Sequence, residues 1–169
     1  MAGHGDDNSA IGKFLAGLGT FLTHRWLITV FNLATAYVVV VLFRHFAGAF
    51  DGSHAHNHEL SEALTGVGVV LIGWGVALEE RHALRHIFRM PNLEAPEETR
   101  IDDLCHYYGV GLLLMGLFSE MLVEFVKLPN EIVNTDGIEH FVLGASAVML
   151  GAGLVMLITF SWSLIRGKA

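Results

Sequence analysis

The chain has 169 residues, of which 53 % are hydrophobic and only 16 % charged, a balance too apolar for an ordinary water-soluble domain. A formal net charge of −7, with the acids spread through the loops, argues against nucleic acid as a partner. The single cysteine, Cys105, excludes an intramolecular disulfide and a four-cysteine zinc site within one chain. The class implied is a polytopic all-α membrane protein, a four-helix bundle held in the lipid bilayer.

Residues 1–23 read as a polar, acidic tail followed by a short interfacial segment over Lys13–Thr23. Met1–Ala10 has no cationic stretch leading into a short apolar run and a small-residue cleavage site, so no cleaved signal peptide is expected ahead of the first span. From residue 24 onward the sequence implies one membrane domain with spans at about 26–45, 60–84, 101–128 and 141–165. Trp26–Phe43 carries no charge and is bracketed by His24-Arg25 and Arg44-His45. The second span opens beneath His54, His56 and His58, is uncharged from Ala63 to Leu78, and closes on Glu79-Glu80-Arg81-His82. It is expected to run as one helix from Asn57 to Met90.

Pro91 and Pro96 break the helix, because proline lacks the amide donor and restricts its predecessor. The third span is the least apolar, since Glu120 and Glu124 lie inside it, and it stops before Pro129. Phe141–Ile165 is uncharged throughout and long enough to cross with some tilt. Eight of the ten Lys and Arg residues fall on one side of this arrangement, leaving Arg44 and Lys127 on the other. That bias places both termini in the cytoplasm and suits a bacterial inner (plasma) membrane. Glycines recur inside the last three spans, at Gly66, Gly68, Gly73, Gly75, Gly109, Gly111, Gly116, Gly144, Gly151 and Gly153. Small residues let helices approach closely in lipid, which implies tight packing and a homo-oligomer or a subunit of a larger membrane complex. The sharper alternative is that the glycines make room for a flat cofactor such as haem.

Two ligand-bearing clusters stand out. On the outer side, His54, His56 and His58 alternate along one segment, so their imidazoles could converge on a zinc or copper ion. Glu62, Glu120, Glu139 and His140 lie at the same level and would complete or relay the site. An acid inside a span is a functional candidate because burying it unpaired is costly. The bland alternatives are a solvated polar loop, and a Glu124–Lys127 surface pair beside a Glu120 bonded to a neighbouring helix.

On the inner side, Glu79, His82 and His86 form one helical stripe, and Asp102, Asp103 and His106 another. Glu79-x-x-His82 and Asp103-x-x-His106 have the spacing of di-iron bundles, but the first and fourth helices supply no matching acids. A single ion, or a b-type haem held by His82 or His86 with His106, is better supplied with ligands. The competing reading is a charged helix end in the headgroups, with Arg81, Arg85 and Arg89 binding anionic lipid.

The leading functional expectation is a transition-metal-binding membrane subunit or carrier with a histidine-rich outer site. A b-haem electron-transfer anchor, a non-catalytic accessory or scaffold subunit, and an ion-conducting oligomer centred on Glu120 are the alternatives. Catalysis by the chain alone is not expected, because no soluble part is available to build a pocket.

Overall fold

The computed structural model describes residues 17, 24–47, 57–87, 95–128 and 137–166. These form five helices: α1 (Arg25–Phe46), α2 (Asn57–Glu79), α3 (Arg81–Ile87), α4 (Pro96–Lys127) and α5 (Glu139–Arg166). Four of them, all but α3, are long and apolar enough to cross a membrane. The described residues contain no strand. The expected segment over Lys13–Thr23 lies outside the described residues except for Gly17.

The helix ends follow local chemistry. His24 caps α1, its ring Nδ1 accepting from the Trp26 amide at 3.4 Å. Pro96 starts α4 at a position where its missing N–H costs nothing, and Glu97 and Glu98 face the positive end of the helix dipole. The helix therefore begins five residues before the span read from the sequence. Gly137 just ahead of α5 has φ +85, a left-handed turn that favours glycine. The second span is not one unbroken helix, since a turn at Glu80 separates α2 from α3. The ladder still continues across it, from Glu80 N to Val76 O (3.0 Å) and from Leu84 N to Glu80 O (2.9 Å), so α3 prolongs α2 as a single rod.

Buried positions recur every seven residues. Leu64, Leu71, Leu78 and Arg85 are buried along α2 and α3, and Cys105, Leu112 and Ser119 along α4. Leu143, Leu150, Leu157 and Leu164 do the same on α5, and Ile28, Thr35 and Leu42 on α1. A seven-residue period is the spacing that keeps a seam facing its neighbour in a left-handed bundle. α2 packs chiefly on α4, α4 on α5, and α5 on α1. α1 and α2, though consecutive, pack only lightly on one another; Trp74 links them, its Nε1 donating to Asn32 Oδ1 at 2.6 Å while its ring centre lies 4.2 Å from that of Phe31. The outward faces are apolar: Tyr37 is 70 % exposed, Val148 67 % and Val155 60 %. Such surface suits lipid and would be a liability in water.

Candidate functional site

The closest helix contact runs between α2 and α4, and glycine makes it. A Cβ added to Gly75 would lie 2.6 Å from the Gly109 carbonyl oxygen, and one added to Gly109 would lie 2.8 Å from the Gly75 oxygen. One heptad away, a Cβ on Gly116 would lie 2.6 Å from the Gly68 oxygen. The two helices are antiparallel, so a step of seven along one is matched by a step of seven back along the other. Continued past Gly75 and Gly109, that register reaches His82 and Asp102, and their side chains do meet: His82 Nδ1 lies 3.2 Å from Asp102 Oδ2. The space between these glycines is filled by the facing backbone rather than left for a flat group.

Asp102 is the centre of the site at this arginine-rich end. Its carboxylate accepts from Arg81 and, at 2.8 Å, from Arg85 Nη1. Glu98, one turn earlier, takes Arg81 Nη2 at 2.8 Å and stands 3.4 Å from Arg85 Nη1. Arg81, Arg85 and Asp102 are all buried, with 4 %, 3 % and 8 % of their surface exposed. Two cations and two anions thus close on one another, fastening α3 to the first turns of α4. Breaking such a buried set by removing one partner costs about 3–5 kcal/mol, because an uncompensated charge stays behind. At the edge of this end, Arg25 Nη1 reaches Glu97 Oε1 at 3.0 Å, linking α1 to α4.

The histidines at this arginine-rich end ride on the outside of that clamp. His82 has a side chain 61 % exposed, and its ring centre lies 4.7 Å from that of His86 in an edge-on contact. His86, His106 and Asp103 are exposed, Glu79 is half-buried, and Cys105 is fully buried behind Asp102. Of the three arginines expected to face lipid headgroups, Arg81 and Arg85 are instead the inward-facing members of α3, and Arg89 lies outside the described residues. The signal was present: Arg85 continues the Leu64–Leu71–Leu78 heptad, and Arg81 lies four residues before it.

At the opposite, glutamate-rich end, α4 carries Glu120 beside the glycine seam. Its Oε2 lies 3.3 Å from where a Gly68 Cβ would sit, and it is buried without a hydrogen-bond partner among the described residues. On the adjoining face of α4, Ser119 Oγ is bonded to Ser146 Oγ of α5 at 2.7 Å. Glu124 pairs with Lys127 at 2.8 Å, and Lys127 also donates to Thr65 Oγ1 at 2.9 Å. Glu62 and His140 are exposed and Glu139 half-buried. Among the described residues no three His, Cys, Asp or Glu side chains stand close enough to hold a metal ion. His54 and His56 lie outside the described residues. His58 falls on the first turn of α2 and His45 near the end of α1, with their side chains outside the description.

Two buried polar groups were not singled out from the sequence. Asn32 is fully buried, with Oδ1 bonded to Trp74 and Nδ2 lacking a partner among the described residues. The Ser119–Ser146 pair is likewise fully buried. An isolated Asn or Ser in an apolar run gives no signal until the facing helix is known. Comparison with known proteins finds no matching family model, no similar curated protein and no similar solved structure.

Proposed function

We propose that the protein is an integral membrane subunit, with both termini cytoplasmic, that holds a cation at Glu120 in the outer half of the bundle. The observation carrying this reading is the buried Glu120 Oε2 without a partner among the described residues. A carboxylate in such surroundings needs a counter-charge, and an acid within a membrane span is a site for one by default. The counter-charge is a proton or a bound cation. Zinc or copper is the occupant that the histidine-rich segment His54–His58 would deliver from the same side, with Glu62, Glu139 and His140 at that level. The small-residue stripe Gly66, Gly73 and Ala77 on the exposed face of α2 supports assembly with a further copy or a larger membrane complex. A Cβ at Gly66 or Gly73 would meet nothing within 4 Å.

The test is modification of the reconstituted protein by a hydrophobic carbodiimide, which attacks carboxyl groups in apolar surroundings, with labelled sites mapped by mass spectrometry. Glu120 should label in preference to Glu59, which is exposed in the first turn of α2. Zinc or copper protecting Glu120 at low concentration supports a metal occupant, and protection by sodium alone supports a simple monovalent site. Equal labelling of Glu59 and Glu120, unaffected by any cation, defeats the reading.

A further inference from the structure

We infer that His82 and His86 form a two-imidazole site for a late first-row transition ion, such as Cu²⁺, Ni²⁺ or Zn²⁺, on the exposed face of α3. The inference is independent of Glu120, which belongs to the other end of the bundle. The two residues are four apart on one helix, so their side chains rise from the same face, one turn above the other. Their ring centres are 4.7 Å apart. A metal about 2.0–2.1 Å from each ligating nitrogen lies about 3.2 Å from each ring centre, so two adjacent ligands have ring centres about 4.5–5.2 Å apart. The observed separation falls in that interval without any shift of the backbone.

The second observation is the bond behind His82. Its Nδ1 faces Asp102 Oδ2 at 3.2 Å. A histidine donating from one ring nitrogen to a carboxylate has its lone pair on the other, and ligating histidines are usually oriented in this way. Asp102 is itself fixed by Arg81 and Arg85, so the carboxylate cannot swing out to take the metal. His82 Nε2 is thereby directed away from the clamp, on a side chain 61 % exposed and beside the His86 ring. Imidazole is a ligand that copper, nickel and zinc favour, and water completes the coordination of an exposed two-ligand site. Glu79, Glu80, Glu98, Asp103 and His106 are among the other titratable groups on the packed helices at this end, and among the described residues none joins the two rings in a set of three.

The experiment uses the full chain in detergent, in a background where His54, His56 and His58 are replaced by Asn to silence the outer segment. Cu²⁺ is titrated by calorimetry, and the bound ion is read by electron paramagnetic resonance. The expected result is one ion per chain with hyperfine splitting from two imidazole nitrogens. His82→Ala and His86→Ala should each weaken binding at least tenfold and leave one nitrogen in the spectrum, while Glu120→Gln changes neither. Both rings are exposed, so the variants should keep the helical circular dichroism of the parent. Should they not fold, the parent alone serves: bound Cu²⁺ must shield both histidines from diethylpyrocarbonate. Unchanged affinity in the His82→Ala/His86→Ala double variant, or undiminished modification of both rings with copper bound, overturns the site.

Discussion

Asp102 and Glu120 are two acids on one helix, about 27 Å apart along its axis at 1.5 Å per residue. Both sit on the side of α4 that meets the α2–α3 rod, at opposite ends of the same glycine seam. Asp102 is surrounded by partners that the chain supplies, Arg81, Arg85 and His82. Glu120 has a buried oxygen with no hydrogen-bond partner among the described residues. The difference separates two uses of a buried charge. Where the fold provides the counter-ion, the carboxylate fastens helices together; where it does not, the acid is neutralised by a proton or, on the function proposed above, by a bound cation.

The largest expected effect follows from removing the compensated acid. Asp102→Ala strands Arg81 and Arg85 in a buried site with Glu98 alone, and should cost about 3–5 kcal/mol in a denaturation series in detergent. Glu120→Gln keeps volume and removes a charge that had no fixed partner, so it should be neutral or stabilising by up to about 1 kcal/mol. If Glu120→Gln destabilises as much as Asp102→Ala, the two acids are of one kind and the contrast fails.

The four long apolar helices were plain in the sequence, because uncharged runs such as Ala63–Leu78 and Phe141–Ile165 have the length and composition of a membrane-crossing helix. The meeting of His82 with the start of the third span was also legible from the stripes on each helix. Which acid would be used was not: Asp103 has the more suggestive spacing to His106, yet Asp102 faces α3 and Asp103 is exposed. One residue on a helix rotates a side chain by about 100°, and only the register of the facing helix decides between neighbours. That register came from glycine pairs whose spacing is visible in each helix but whose pairing is not. Arg81 and Arg85 misled for a related reason, since at a span's end charge normally signals exposure. Here the heptad carried through to Arg85 was the better guide.

The seam that sets the distance between the two acids can be broken next. Gly75→Ala or Gly109→Ala would press a methyl group against backbone at 2.6–2.8 Å, which no rotamer change relieves. Each should cost about 1–3 kcal/mol by forcing the helices apart. Gly66→Ala and Gly73→Ala on the open face of α2 serve as controls. They should stabilise by up to about 1 kcal/mol through helix propensity, provided no partner helix occupies that face. A cost at Gly66 or Gly73 that appears only under conditions where the protein is oligomeric would locate the interface. Trp74→Phe comes below these, because it removes the donor to Asn32 and leaves a fully buried amide with no bond. Bonds between membrane helices average about 0.6 kcal/mol and reach about 1.7, and this one should fall in the upper half.

The smallest expected effect bears most directly on Glu120. Lys127 is the cation closest to it in sequence on α4, but its ammonium is bonded to Glu124 Oε1 at 2.8 Å and Thr65 Oγ1 at 2.9 Å. The Glu124–Lys127 pair is largely exposed, and such pairs contribute about 0.3–0.5 kcal/mol on a helix surface. Lys127→Ala should therefore lower stability by no more than about 0.5 kcal/mol and leave carbodiimide labelling of Glu120 as it was. A larger loss, together with a change in labelling, would mean that Lys127 is the partner of Glu120. Glu120 would then join Asp102 as a charge the fold has already neutralised, and no external cation would be needed there.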